Sequence, residues 1–165
     1  MFVDGYLFSL NLWYINESVP KSSKYVLLLF ASALEFMIIK IKMKNLIIDA
    51  AADKIFFKII TDDKSYTSEY PNSRENFDKF SILLYKFLNK NKTNISEINN
   101  IFINQGPGKF SGIRASIAAA KALSITNKLN LFGFNLNDLK DNNYVNIIDL
   151  YKKGRLTKNL IKPSY

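Results

Sequence analysis

The chain has 165 residues, enough for one domain, and 48% of them are hydrophobic, which suffices for a buried core. It contains neither cysteine nor histidine. Disulfides, zinc sites built on thiolate or imidazole, and Ser-His-Asp or Cys-His nucleophile systems are therefore excluded within this chain. A metal ion would have to be a hard cation held by carboxylates and carbonyls.

The formal charge of +9 favours contact with polyanions, because Lys and Arg neutralise phosphates and release counterions. Only Arg74, Arg114 and Arg155 among the 23 basic residues are arginine, the residue preferred for bidentate contacts to phosphates and bases. A basic surface that helps to meet a nucleic acid held by a partner fits this composition better than dedicated sequence-specific recognition.

Residues 1–42 differ in character from the rest and form a predicted N-terminal extension. Their apolar run from Tyr25 to Ile39 contains Glu35 and is shorter than the ~20 residues that a membrane helix needs. Three interpretations stay open: an over-extended start upstream of Met43, a membrane-associating or signal-like segment, and an appendage that packs on the domain. The first is our working interpretation.

Residues 43–135 show the regular pattern of an α/β domain. The apolar run Asn45–Asp49 ends in a carboxylate and predicts a buried strand, and two further strands are predicted at Ile55–Ile60 and Ser65–Tyr70. Ser73 is a suitable N-cap for a helix that extends to about residue 90. The helix is apolar on more than one side, so it contacts either a second element of its own domain or a partner subunit. The residues expected at that surface are Phe77, Phe80, Leu84 and Phe87.

The second half of the domain alternates strand and helix. Asn99–Asn104 predicts a fourth strand, Phe110–Asn127 a second main helix, and Leu129–Phe134 a fifth strand. A stripe of small residues follows the helical period and predicts close packing against a sheet, another helix or a partner: Ala115, Ala118, Ala119 and Ala122. The result is a mixed sheet of about five strands with two main helices, followed by a short C-terminal tail, residues 136–165, in which Val145–Tyr151 predicts a turn or two of helix.

A glycine-rich stretch, QGPGKFSGIR (residues 105–114), connects the fourth strand to the second helix. It fails the P-loop pattern because Phe110 stands where Ser or Thr is needed, and Ser111 occupies the third glycine of a dinucleotide fingerprint. A strand-to-helix corner with Ser111 as its N-cap is favoured over a nucleotide-binding loop, although helix N-termini attract anions in general.

Several of these residues resemble the signature of the TsaB family, whose members carry a Gcp-like domain and act in the biosynthesis of threonylcarbamoyladenosine in tRNA. The segment INQGPGKFSGIRASIAAAKAL places the motif residues at matching positions: Gly106, Pro107, Gly108, Phe110, Ser111, Gly112, Arg114 and Lys121. The opening NLIIDAAADKIFFKII is also similar, with Asp49 at the end of the first strand. Asn76 stands near the place of a family histidine. The resemblance covers about residues 43–134.

The resemblance implies the first lobe of an actin/Hsp70/sugar-kinase-like (RNase H-like) fold, with a reduced or absent second lobe. It implies a non-catalytic, cytoplasmic scaffold or activator that pairs with a TsaD-like catalytic subunit through its first-lobe helices. A TsaE-like ATPase is a further implied partner, and tRNA is met through the complex. No cofactor or metal is expected here, since ATP and Mg²⁺ would belong to the partner complex. The alternatives are an independent ATP-binding or phosphotransfer domain, a basic RNA-binding module and, for the isolated chain, a homodimer.

Overall fold

In the computed structural model, the described residues are 43–139, 143–158 and 161–164. The three interpretations of residues 1–42 lie outside this part of the chain. Within the described residues no helix is both long and apolar enough to cross a bilayer.

The described strands form one six-stranded sheet in the order β3-β2-β1-β4-β5-β6. Strands β1 to β3 pair antiparallel, β1, β4 and β5 are parallel, and β6 is antiparallel to β5. Their bounds are Asn45–Asp49 (β1), Lys54–Ile60 (β2), Ser65–Pro71 (β3), Asn100–Asn104 (β4), Asn130–Phe134 (β5) and Thr157–Lys158 (β6). The five predicted strands are confirmed. The sixth was missed because two residues are too few to show a strand pattern.

Burial follows each strand's place in the sheet. The central strands β1 and β4 are buried at every residue, as expected for parallel strands covered on both faces. The edge strand β3 alternates between exposed and half-buried residues. The mixed α/β architecture predicted from the sequence is therefore confirmed.

The described α-helices are Arg74–Asp78 (α1), Phe80–Lys90 (α2), Phe110–Asn127 (α3) and Asn146–Lys152 (α4), and Ile95–Glu97 and Leu136–Asp138 are short 3₁₀ turns. Ser73 caps α1 as predicted, since its side chain accepts a hydrogen bond from the Asn76 amide at 3.3 Å. The single helix expected from Ser73 to about residue 90 is interrupted at Lys79, where φ is −102° and ψ is 11°. The segments are joined by a backbone bond from the Lys79 amide to the Glu75 carbonyl.

One face of the sheet is covered by α2 and α3. Phe57 on β2 contacts Phe80 edge-on, with ring centroids 5.3 Å apart, and stacks on Phe87 at 5.9 Å. Phe80, Leu84 and Phe87 are buried there and Phe77 is half-buried against them. The expectation that these phenylalanines and Leu84 present a partner surface is corrected: the three buried side chains belong to the intramolecular core, because the apolar stripe of α2 faces its own sheet.

The other face of the sheet is covered by residues of the predicted C-terminal tail. Ile147 of α4 is fully buried against this face, and the ring of Tyr151 lies 4.9 Å from that of Phe132 on β5. The described residues after 135 therefore complete the core of the sheet, since without them the second face would expose its aromatic side chains.

Candidate functional site

The glycine loop lies at the carboxyl end of β4, where it turns into α3. The helix begins at Phe110 as predicted, but its N-cap is Lys109, and Ser111 already lies within the helix. The prediction that Ser111 caps α3 is therefore wrong. The Lys109 amide donates instead to the carbonyl of Ala51 at 2.6 Å, which joins the loop to the turn between β1 and β2.

Gly106 is held from two sides. Its amide donates to the side-chain oxygen of Asn104 at 2.9 Å, and its φ of +115° is one that residues with a side chain rarely adopt. A Cβ at this position would overlap the carbonyl of Ser164. The peptide bond between Gly106 and Pro107 is cis. Ser164 also donates its backbone amide to the Gln105 carbonyl at 2.7 Å. The segment 161–164 therefore braces the loop.

Gly112 removes a side chain where α3 crosses the turn after β1. A Cβ there would overlap the Ala50 carbonyl, and Gly108 lies in the same way against Ala51. Asn72 further fixes the turn by donating its side-chain amide to the carbonyls of Ala50 and Ala52, at 3.0 and 2.6 Å. Backbone carbonyl oxygens thus lie where side chains at these two positions would be. The geometry of the loop is that of a packed corner.

Asp49 is buried at the end of β1, with 3% of its surface exposed, and both oxygens of its carboxylate accept hydrogen bonds. One accepts from the Ala51 amide at 2.8 Å, and the other from the side-chain amide of Asn104 at 2.9 Å and the hydroxyl of Tyr144 at 2.8 Å. These bonds use the carboxylate to connect β1, β4 and the C-terminal segment. Asp49 therefore acts as a structural acceptor in this arrangement.

Tyr144 was not identified from the sequence, although it lies beside Asp49. Its ring stacks on Phe56, with centroids 4.3 Å apart, and meets Phe134 edge-on at 6.3 Å. Burial raises the pKa of the Tyr144 hydroxyl above its ordinary value, and the neighbouring carboxylate of Asp49 adds to the increase. The hydroxyl therefore stays protonated and remains a donor at neutral pH.

The charged residues of the loop lie at the surface. Lys109 pairs with Asp53 at 2.8 Å, and the hydrogen bond and charge of that lysine lower the pKa of the Asp53 carboxyl. The guanidinium of Arg114 lies over the ring of Phe110, 4.9 Å from its centroid. Phe110 and Arg114 are both exposed, so this cation–π contact lies on the solvent side of the first turn of α3.

A cleft of about 350 Å³ opens beside Asp49 and is lined on its sides by Asp53, Lys54, Phe56, Glu69 and Tyr144. Lys54 and Glu69 form an ion pair in its wall. Lys54 and Asp53 of this wall are thus both engaged in ion pairs, the second with Lys109.

The alanine stripe of α3 faces away from the sheet. Ala118 and Ala122 are exposed, whereas the buried side of the helix consists of Gly112, Ile113, Ser116, Ile117 and Ala120. Of the alternatives left open for the stripe, packing of all four alanines on the chain's own core is corrected: Ala119 packs against it, but the isoleucines on the neighbouring side bury more apolar area and occupy the sheet. Ala115 and Ala119 are half-buried at the margin of the stripe. Lys121 is also exposed.

A row of asparagines crosses the opposite end of the sheet and was also missed. Asn100 donates its side-chain amide to Asn45 at 2.8 Å, and Asn130 donates to Asn100 at 3.3 Å. The three residues are neighbours in the parallel register. The signal was available in the sequence, since each of these strands begins with asparagine.

Comparison with known proteins gives partial matches, and no family model matches the chain. The tRNA threonylcarbamoyladenosine biosynthesis protein TsaB of Buchnera aphidicola subsp. Schizaphis graminum is 31% identical over 88 residues, which are 53% of this chain and 42% of the relative. Its counterpart in the Baizongia pistaciae subspecies is 40% identical over 43 residues, 26% of this chain and 20% of the relative. This chain therefore spans less than half the length of the curated relatives that it matches.

The fold is shared with YeaZ from Pseudomonas aeruginosa, with a TM-score of 0.53 and 15% identity over 56% of this chain and 44% of that protein. A second structure, of a protein with similarity to peptidase YeaZ, gives the same TM-score. This likeness establishes the actin-like, RNase H-like α/β fold of the sheet and its helices. The partial sequence identity and the shared fold together support the TsaB family for this chain, as the residues of the glycine loop predicted.

Proposed function

We propose that this chain is a non-catalytic scaffold or activator subunit in the biosynthesis of threonylcarbamoyladenosine in tRNA, acting in the cytoplasm beside a TsaD-like catalytic subunit. The names and partial identity of the TsaB relatives support the pathway. The observation that carries the scaffold role is the outward side of α2 and α3. These two helices lie on one face of the sheet, and both expose apolar or small side chains to solvent.

The non-catalytic character rests on the chemistry of the site. The sequence contains no histidine or cysteine, and Asp49 already accepts three internal hydrogen bonds. In the glycine-rich loop, Gly108 and Gly112 lie against the backbone carbonyls of Ala51 and Ala50. No nucleophile, general base or phosphate cradle is assembled by these residues, so we assign ATP and Mg²⁺ to the partner complex.

The proposed partner surface differs on α2 from the residues first expected and keeps Ala118 and Ala122 on α3. On α2 its apolar members are Ile82 and Tyr85, with 52% and 65% of their surface exposed, and on α3 it includes Ile125 at 79%. Ala118 and Ala122 lie on the outward side of α3, where small side chains let a partner helix approach closely. Exposed apolar residues gathered on two helices are typical of a protein interface.

Co-purification of the full chain with the TsaD-like subunit tests this surface. Substituting both Ala118→Arg and Ala122→Arg places two large cations on the outward side of α3. Disruption of a central contact costs about 2 kcal/mol or more, so we expect the complex to weaken at least about thirty-fold. The matched control is Ser65→Arg with Thr67→Arg, which adds the same charge at exposed positions of the edge strand β3.

The control variant should keep the affinity of the unaltered chain. If the variant with Ala118→Arg and Ala122→Arg binds the TsaD-like subunit as tightly as the control does, this surface is refuted. Analytical sedimentation of the chain alone tests a second possibility, a homodimer. If the same variant is monomeric where the unaltered chain is dimeric, and the complex with the TsaD-like subunit stays intact, the outward side of α3 serves self-association instead.

The alternative is an ATP-binding or phosphotransfer domain that uses the cleft beside Asp49. The cleft is large enough for part of a nucleotide, but the lysine in its wall, Lys54, is already paired with Glu69 and so attracts phosphates less strongly. Titration of the isolated chain with Mg-ATP by calorimetry distinguishes the two functions. We expect no saturable heat, and binding that is lost in Asp49→Asn would favour the enzyme.

A further inference from the structure

Positive charge is concentrated near the end of the described chain. Residues 43–139 contain thirteen Lys and Arg against nine Asp and Glu, whereas the described residues from 143 onward contain five against one. About twenty residues therefore carry the same net charge as the preceding ninety-seven. The five cations, called the basic edge below, are Lys152, Lys153, Arg155, Lys158 and Lys162.

The basic edge is exposed and its charges are not neutralised within the described residues. All five residues are exposed. The ion pairs of the described part of the chain involve Lys44, Lys54, Lys79 and Lys109 and none of these five. The charges of the basic edge are thus available to an external anion.

The structure also brings these residues to one side of the sheet. Lys152 and Lys153 end α4, and Arg155 follows after a turn fixed by the bond from its amide to the Leu150 carbonyl at 3.0 Å. Lys158 on β6 pairs with Phe132, and its ammonium lies 5.6 Å from that ring, which also contacts Tyr151 of α4.

Lys162 returns to the same margin. Its carbonyl accepts from the Gln105 side chain at 3.1 Å, and Gln105 lies against Gly133, whose partner on β6 is Thr157. The end of α4, the strand β6 and residue 162 therefore frame the β5–β6 margin of the sheet.

A charged edge strand also protects a sheet from pairing with another chain, and this accounts for Lys158. It does not account for the cations at the end of α4, which lie outside the ladder. Lysine is a point charge that suits phosphate oxygens without reading bases, so the composition of the basic edge fits a nucleic-acid backbone.

We propose that the basic edge contacts the phosphate backbone of tRNA directly. The choice of tRNA as the RNA rests on the proposed function, whereas the preference for RNA phosphates rests on the charge of this surface. The basic edge lies beside the sheet margin formed by β6 and α4, and the proposed partner surface is formed by α2 and α3 on the opposite face. Both contacts can therefore be made by different parts of the chain.

The test is the salt dependence of binding between the isolated full chain and a tRNA transcript, measured by fluorescence anisotropy from about 50 to 200 mM KCl. The variant combines Lys152→Gln, Lys153→Gln, Arg155→Gln and Lys158→Gln. The slope of log K against log salt is negative, and each lost phosphate contact reduces its magnitude by about one. We therefore expect the slope of the variant to be less steep by about three to four.

The matched control removes the same charge from exposed lysines elsewhere: Lys64→Gln, Lys86→Gln, Lys90→Gln and Lys121→Gln. The control should change the slope by less than about one. Circular dichroism and thermal unfolding check that both variants fold, and the four single substitutions replace the combined variant if it does not. Equal losses of slope in the two variants, or no binding of tRNA by the unaltered chain, would overturn the proposal.

Two further probes separate RNA from other anions. Polyglutamate and vesicles of phosphatidylcholine with phosphatidylserine are titrated under the same conditions, and comparable affinity for either would overturn the assignment to RNA. Co-purification with the TsaD-like subunit is measured in parallel. If the unaltered chain fails to bind that subunit but retains the tRNA slope, the proposed function fails and the RNA contact stands; the converse result removes the RNA contact alone.

Discussion

Substituting Tyr144→Phe removes a single hydroxyl from the link between the C-terminal segment and β1. The hydroxyl donates to the Asp49 carboxylate at 2.8 Å, across 95 residues of sequence. The phenylalanine ring retains the shape that stacks on Phe56 at 4.3 Å, so the change isolates the hydrogen bond.

The expected magnitude follows from the charge of the acceptor and the burial of the donor. A hydrogen bond to a charged group contributes about 1.5 to 3 kcal/mol to stability. Tyr144 is half-buried, and water can replace part of the lost interaction, so we expect a loss of about 1 to 2 kcal/mol. For a domain of this size that corresponds to a melting temperature lower by roughly 4 to 8 °C.

The dependence on pH has a definite sign. Because the pKa of Tyr144 is raised in the folded protein, the unfolded chain releases its proton first, near the ordinary value of 10.0. The stability that this hydroxyl contributes is complete below that pH and is lost as the pH rises above it. The Phe variant lacks this alkaline loss.

Urea unfolding followed by circular dichroism at pH 7, and again at about pH 10.5, measures both effects. The matched control is Tyr85→Phe, which removes the same hydroxyl from a side chain that is 65% exposed. The two variants should differ by about 1 kcal/mol or more at pH 7. Equal stability of the two variants at pH 7, with the same alkaline loss in both, would refute the assigned role of Tyr144.

Three further outcomes follow from the packing. Gly112→Ala gains helix propensity but overlaps the Ala50 carbonyl, so the net loss in urea unfolding should be about 2 kcal/mol, and a stabilised variant would contradict the close approach. Phe87→Ala removes a side chain that is 1% exposed and should lower the free energy of unfolding by about 3 to 5 kcal/mol in the same measurement. A loss below about 1 kcal/mol would show that Phe87 is not part of the core. Lys109→Gln should raise the pKa of Asp53 towards its ordinary value of 3.8 in a carboxyl NMR titration, and an unchanged pKa would show that the ion pair is not formed in solution.

Local patterns in the sequence predict most of the sheet and helix positions. The strands β1 and β4 are short runs bounded by polar residues, and the starts of α1 and α3 follow from the capping residue Ser73 and from the end of the glycine loop. The motif residues of that loop also carry the resemblance to the TsaB family, because closely spaced glycines with Phe110 and Arg114 are a local property of the chain.

The side of α3 that is buried could not be predicted in the same way. The stripe that begins at Ala115 and the stripe that contains Ile113 and Ile117 both follow the helical period, so periodicity alone does not choose between them. The sheet selected the isoleucine side, which buries more apolar area, and left Ala118 and Ala122 exposed. The amphipathic pattern of α2 was misassigned for a similar reason, since a partner and a sheet require the same side chains.

The sequence by itself determined most of the elements, the resemblance to the TsaB family and the absence of histidine and thiol chemistry. The tertiary structure decided what depends on contacts between distant residues: the Asp49–Tyr144 bond, the brace of Ser164 on Gly106 and the two-residue strand β6. Such contacts leave no periodic signal, because each joins single residues whose sequence separation is set by the topology. They become visible only when the strands are placed side by side.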